Sequence, residues 1–207
     1  MSFKIAIQAV PERLVYCQRM KSELIKFGVS PEDIRIHVDA KKIGPFYNFS
    51  QIIKANVNTK VPVLYMQDDI VFCSNFVLHV RAIIKHNLFT TTFFAPPRNS
   101  YDSIPEGINI VNEPNFMWLQ CALFSPEAIK LLHGNLDGVT TKHDDAFVRD
   151  VFKKYNKVTS VTIPSLVQHD LSIKSAMGHP VKVGNNRRET RLFYEVGPNH
   201  FKTLCVQ

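Results

Sequence analysis

With 207 residues, 45% of them hydrophobic and 21% charged, the chain has the composition of an ordinary globular protein and the length to bury a real core; it is read as one domain over 1–207. A net charge of +7 points to an anionic substrate or a polyanionic partner, and no apolar run approaches the ~20 residues that a membrane span needs. Cys17, Cys73, Cys121 and Cys205 are widely spaced and form no CxxC pair, which argues against a disulfide frame or a zinc site and for thiols in a reducing, cytoplasmic compartment.

Residues 3–9 read as a first strand, and the early Pro11-Glu12-Arg13 break argues against a signal peptide. From Pro11 to Phe27 the apolar residues Leu14, Cys17, Leu24 and Phe27 follow helical spacing, with Gly28 placed to end the helix. Residues 34–38 form a second strand that stops at Asp39. Residues 46–57 form a helix with Phe46, Phe49, Ile52 and Ile53 on one face. The run Val61-Pro62-Val63-Leu64-Tyr65-Met66-Gln67 is a buried strand ending in Asp68-Asp69. Ser74 is expected to cap a helix through about His86, and a strand runs from Phe89 to Ala95, where Pro96-Pro97 ends it.

This alternation implies an α/β fold with a largely parallel, doubly wound sheet. Residues 96–116, rich in Pro, Asn and Gly, read as a long loop suited to covering a substrate. Met117–Phe124 is a further strand, Ser125-Pro126 starts a helix closing at Gly134, a helix runs from about His143 to Tyr155, and 158–163 is a strand. The tail from about 165 is read as irregular and basic.

Four segments carry candidate chemistry. Asp68 and Asp69 end a buried strand, the edge at which open α/β sheets bind ligands; adjacent acids there can hold a divalent cation, act as acid and base, or cap a turn. Successive residues of a strand point to opposite faces, so Asp69 is taken as the direct ligand, with Asp68 organising the site. His143-Asp144-Asp145 opens a helix: capping the helix is one reading and a general base for an attacking hydroxyl is the other. His169 follows a Pro164-Ser165 turn, and an imidazole beside carboxylates suits manganese better than magnesium. Ser172, Lys174 and Ser175 are placed to donate to phosphate oxygens. Trp118, the only tryptophan, is either core or a stacking platform for a sugar or base.

Taken in order, these segments resemble a GT-A glycosyltransferase. Val10-Pro11-Glu12-Arg13 is similar to the nucleotide-binding opening of that fold, and Gln67-Asp68-Asp69-Ile70-Val71-Phe72 to its E-D-D-x-x-F metal motif. Leu119–Ser125 resembles the strand beneath the donor sugar, and His143-Asp144-Asp145 the late acidic motif of inverting members. Pro164–His169 with Ser172, Ser175 and Gly178 resembles the P-S-L-x-Q-H-x-G-x-x-S stretch of complex-type N-acetylglucosaminyltransferases. The likeness covers roughly 3–178. Gln67 stands where the family has its first acid, and Asp170-Leu171 replaces the glycine region beside the histidine.

The resemblance implies a metal-dependent, inverting transfer of a sugar from a nucleotide-sugar donor, a UDP-sugar by preference, to a hydroxyl acceptor. Asp69 and His169 would hold Mn2+ or Mg2+, Asp145 or else Asp144 would serve as base, Arg13 and Asp39 would contact the nucleotide, Asp68 would organise the site or reach the ribose, and Lys174 would contact the diphosphate. Late positive charge at Lys174, Lys182, Arg187, Arg188 and Arg191 fits double-stranded DNA as acceptor, as in the phage enzymes that glycosylate hydroxymethylated pyrimidines; the acceptor base is then flipped out, with Arg98, Asn99, Tyr101, Asn109 and Asn112 of the 96–116 loop reading the duplex. The alternatives are a glycosyltransferase acting on saccharide or lipopolysaccharide, and a metal-dependent nucleotidyltransferase or a nucleic-acid-binding protein.

Overall fold

A computed structural model describes residues 2–95, 107–113, 118–170, 172–173 and 205–206. The basic tail, with Lys174, Ser175, Gly178, Lys182, Arg187, Arg188 and Arg191, lies outside them, as do Arg98, Asn99 and Tyr101. Among the described residues no helix is long and apolar enough to cross a membrane.

Alternating apolar residues make β1 (Lys4–Ala9), which feeds a 3-10 turn (Pro11–Arg13) and α1 (Leu14–Lys26). Helix α1 buries Cys17, Met20 and Leu24, and the chain reverses at Gly28, whose φ of 84° suits a residue without a Cβ. Then come β2 (Ile34–Val38), α2 (Pro45–Asn56), β3 (Val63–Gln67), β4 (Ile70–Phe72) and α3 (Phe76–Ile84). The second half adds β5 (Thr90–Thr92), β6 (Asn109–Glu113), β7 (Cys121–Phe124), α4 (Pro126–His133), α5 (Asp144–Lys154), β8 (Thr159–Ile163), β9 (Val167–His169) and β10 (Cys205–Val206).

The architecture is the expected α/β one. Eight strands form one sheet in the order β10-β6-β8-β5-β7-β3-β1-β2, and β4 with β9 forms a second, two-stranded sheet. Four neighbouring pairs of the large sheet are parallel, β1 with β2, β1 with β3, β5 with β8 and β6 with β10. Strand β7 runs antiparallel to both of its neighbours, β3 and β5, and β6 antiparallel to β8. Two cores cover the faces. One gathers Ile5, Ile7, Leu24, Leu64, Met66, Phe76 and Phe93 beneath α1 and α3. The other gathers Phe49, Ile53, Tyr65, Phe124, Ile129, Phe147 and Phe152 beneath α2, α4 and α5. In the second, Phe49 meets Tyr65 at 5.3 Å and Phe147 meets Phe46 at 5.1 Å, both edge to face. These contacts fix the first turn of α5 against α2 and the sheet.

Several expectations are corrected. Ser74 does not cap α3: Asn75 takes the N-cap position with φ 58° and no side chain caps the helix. Part of the 96–116 segment, Asn109–Glu113, is strand β6, paired along its whole length with β8. The tail is not irregular at Val167–His169, which pairs with β4. Of the strand anticipated over Met117–Phe124 the described part is strand at Cys121–Phe124, Met117 lying outside the described residues, and the one over Phe89–Ala95 is confined to Thr90–Thr92.

Cys17, Cys73 and Cys121 are buried free thiols. Burial pushes the first two up to about 12, so they remain protonated and behave as core.

Candidate functional site

Strands β1, β2 and β3 run parallel, so their carboxyl ends meet at one edge, where the chain places its acids. The turn after β1 swings Arg13 into the protein, where it is 7% exposed. Its Nη1 donates to Asp68 Oδ1 at 2.6 Å and lies 3.4 Å from Asp69 Oδ2. The Val10 amide donates to the other Asp68 oxygen at 3.3 Å. One guanidinium nitrogen therefore serves both carboxylates. The expectation that they point to opposite faces is corrected: β3 ends at Gln67 and the chain turns through Asp68-Asp69 into β4, so strand alternation does not apply to the pair.

Burial alone would lower the Arg13 pKa, but the charges of Asp68 and Asp69 more than offset it and hold the guanidinium above its usual value. Asp68 moves the other way from a simple ion pair. Burial raises it, and neither Arg13 nor the Val10 amide fully compensates, because Asp69 adds a second negative charge. Asp68 is thus a structural anchor for the turn, locked by Arg13.

Asp69 faces the small sheet. Its carbonyl accepts the Asp170 amide at 2.8 Å, and Ile70 stands opposite His169 in the β4–β9 ladder. Asp69 Oδ1 and His169 Nδ1 consequently approach to 3.5 Å. The His169 ring packs edge-on against Phe94 at 5.4 Å, and Phe94 lies 6.0 Å from the Trp118 ring. His169 Nδ1 is buried without a hydrogen-bond partner among the described residues. This mixed oxygen and nitrogen pair fits a divalent cation, manganese before magnesium. Among the described residues no group of three His, Cys, Asp or Glu side chains could hold a metal, so such a cation would take its other ligands from phosphate oxygens and water.

Asp39 closes the β2 end of the edge. Its own amide donates to the Ala9 carbonyl at 2.9 Å and its Oδ2 accepts from the Gly44 amide at 2.7 Å. Asn48 on α2 ties the two strand ends together, donating to the carbonyls of Ala9 at 3.1 Å and His37 at 2.9 Å. Asp39 Oδ1 is buried and has no hydrogen-bond partner among the described residues. The Asn48 clamp is a positioning element that sequence reasoning missed. Its one signal was a polar residue on the apolar face of α2.

The two acids of α5 separate cleanly. Asp144 is 6% exposed. Its Oδ2 accepts from the Tyr65 hydroxyl at 3.0 Å and from Gln8 Nε2 at 3.4 Å, and its Oδ1 from the Asp145 amide at 3.0 Å. Burial, then the neighbouring Asp145 charge, raises its pKa. Asp145 is half-buried and accepts the Ala146 amide at 2.7 Å. Both carboxylates accept the amide of the next residue in the first helical turn, while His143 takes the N-cap position and no side chain caps the helix. Asp145 alone keeps an oxygen within reach of the surface.

The structure brings together Arg13, Asp68, Asp69 and His169 in direct contact, and places Asp39, Asp144 and Asp145 at the same sheet edge. Lys174 lies outside the described residues. Trp118 is half-buried beside Phe94, and its Nε1 has no partner among the described residues.

No protein-family model matches the chain, and no curated protein matches it. Among solved structures the chain is similar to a Bacillus anthracis protein described as a glucose-1-phosphate thymidylyltransferase, in complex with a sucrose. The identity is 10%, the TM-score 0.43, and the match covers 81% of this chain and 89% of that one.

Proposed function

We propose that the protein is a metal-dependent, inverting glycosyltransferase of the GT-A kind, moving a sugar from a nucleotide-sugar donor, a UDP-sugar by preference, to an acceptor hydroxyl. The observation that carries this reading is the meeting of Asp69 with His169 at 3.5 Å on the same sheet edge as the Asp144-Asp145 helix start. One end suits a diphosphate held through a cation; the other suits an acid–base step. A bound cation would neutralise the charge that develops on the leaving nucleoside diphosphate.

The chain's own residues do the rest. Arg13 holds Asp68 and so keeps the β3–β4 turn, and Asp69 with it, in place. Asp39, with one oxygen unpartnered among the described residues, accepts an N–H from the nucleotide. Asp145 takes the proton of the acceptor hydroxyl as its oxygen bonds to the anomeric carbon and the bond to the diphosphate breaks; such a base contributes about 10²–10⁴-fold. Asp144, buried and triply hydrogen-bonded, orients the helix start. The net charge of +7 supports a polyanionic acceptor, and a hydroxymethylated pyrimidine in DNA is the one we favour.

The test is release of nucleoside diphosphate from a panel of nucleotide sugars with Mn2+, with and without DNA containing hydroxymethylcytosine or hydroxymethyluracil. Release stimulated by modified DNA and lost in Asp69→Ala supports the full reading. Release indifferent to DNA keeps the transferase and moves the acceptor to a saccharide. No turnover and no donor binding overturns it.

A further inference from the structure

Strand β2 is the last strand at one edge of the large sheet, and among the described residues no strand pairs with its outer side. Its pairing with β1 fixes which backbone groups point outward. Ile5 stands opposite Ile34, Ile7 opposite Ile36 and Ala9 opposite Val38, and the Asp39 amide donates to the Ala9 carbonyl at 2.9 Å. Backbone groups of a strand point alternately to its two sides. Arg35, His37 and Asp39 therefore turn theirs toward β1, and Ile34, Ile36 and Val38 turn theirs outward. Lys21 Nζ donates to the Ile34 carbonyl at 3.3 Å. Ile36 and Val38 then present their N–H and C=O groups along the edge.

The strand carries few of the devices that blunt an edge. Ile34-Arg35-Ile36-His37-Val38 is mostly β-branched, contains neither proline nor lysine, and leaves Val38 38% exposed. Its flanks are opposite in charge. Glu32 and Asp33 precede it, and the exposed Lys41 and Lys42 follow it. Lys42 also reaches Glu12, so Lys41 carries more of the free positive charge. A strand with an acidic start and a basic end complements an antiparallel copy of itself, because each acidic end comes beside the other copy's basic end. A parallel copy would set like charges together.

We propose that this edge binds a second copy of the chain, β2 pairing antiparallel with β2 about a two-fold axis at His37, so that the two sheets join into one. Ile36 of each copy exchanges both backbone hydrogen bonds with Val38 of the other, which leaves the Ile34 carbonyl to Lys21. Arg35 comes opposite Asp39, and Asp33 comes beside Lys41. Centring the axis on Ile36 instead would draw on the Ile34 carbonyl and set Asp33 beside Asp39. His37 meets its own copy as an uncharged ring at neutral pH, since burial and the Arg35 charge lower its pKa to about 4. A ladder this short buries little area, so the dimer is a weak one, with a dissociation constant on the order of 10–100 μM.

Sedimentation velocity on the full chain from about 5 to about 500 μM tests this, with amide hydrogen exchange at both ends of that range. We expect a monomer–dimer equilibrium in which the Ile36 and Val38 amides exchange more slowly at the higher concentration. Glu32→Lys with Asp33→Lys makes both flanks basic, and Lys41→Glu with Lys42→Glu makes both acidic. Each double variant should self-associate at least about tenfold more weakly, since every attraction between flanks becomes a repulsion and each occurs twice in a two-fold dimer. An equimolar mixture of the two variants should regain association, because basic flanks then meet acidic ones. A protein that stays monomeric throughout overturns the inference. So does a dimer whose Ile36 and Val38 amides gain no protection, or whose charge variants associate as the natural protein does. Should a charge variant fail to fold, hydrogen exchange on the natural protein decides alone.

Discussion

Asp69 and His169 stand 100 positions apart in sequence and face one another at 3.5 Å because β4 and β9 pair with Ile70 opposite His169. Neither side chain is placed by its own loop alone. The Asp69 carbonyl holds the Asp170 amide at 2.8 Å, so the backbone that carries one ligand also fixes the other. We expect Asp69→Ala and His169→Ala each to weaken Mn2+ binding to the UDP complex by at least about tenfold, the lower end of what losing even an outer-shell partner costs a metal site. Mn2+ titration followed by electron paramagnetic resonance reads this directly. Unchanged Mn2+ affinity in both variants would remove the pair as a metal site.

Arg13 predicts a stability effect distinct from any effect on binding. Its guanidinium is the main compensation for the buried Asp68 carboxylate, at 2.6 Å. Truncating one member of a buried pair leaves the other charge uncompensated, at a cost of about 3–5 kcal/mol. Arg13→Met should therefore lower unfolding free energy by about that amount in urea. Arg13→Met with Asp68→Asn should recover much of it, since the double variant buries no orphan charge. A double variant no more stable than the single one would mean that Arg13 acts through packing.

The two acids of α5 make separable predictions. Asp145 is half-buried and within reach of solvent, so Asp145→Asn should lower kcat by about 10²–10⁴-fold with little change in KM and in melting temperature. Asp144 ties α5 to the sheet through Tyr65 at 3.0 Å. Tyr65→Phe removes that bond, and should cost about 1 kcal/mol of stability together with a smaller loss in kcat. Equal loss of kcat in Asp145→Asn and Tyr65→Phe would shift the base to Asp144.

Most single elements were legible because their signal is local. Helix α2 shows its apolar stripe at Phe46, Phe49, Ile52 and Ile53, and α4 its Ser125 cap, which accepts the Ala128 amide at 3.1 Å. Strand β6 was not legible. Asn109-Ile110-Val111-Asn112-Glu113 has the composition of a loop, and only pairing with β8 makes it a strand. The same holds for β9, three residues long and defined by β4. The direction of β7 is set by how the chain returns to the sheet, which apolar patterning does not encode. Of the candidate site, the strand-end acids could be read from sequence. Their contacts with Arg13 and His169 depend on how distant segments pair, which no local pattern carries.

His37 gives the protein a pH dependence of known sign. It lies on the face of β2 that looks toward α2, where burial and then the Arg35 charge lower its pKa from 6.5 to about 4. Between those values the unfolded chain takes up a proton that the folded chain refuses, so stability falls as the pH drops from about 6.5 to about 4. The buried acids act in the opposite sense. Burial raises Asp68 and Asp144, so the folded chain protonates them before the unfolded one does, and acidification down to the ordinary carboxylate range favours folding. The His37 contribution is isolated by His37→Gln, which removes the titration and leaves the acids. Solvent screening of a half-buried ring reduces the full effect of the shift to about 2 kcal/mol. Urea unfolding at pH 7, 6, 5 and 4 should show the natural protein losing about that much more than the variant, nearly all of it below pH 6.5. Parallel stability curves for the two proteins would show that His37 remains solvated and titrates alike in both states.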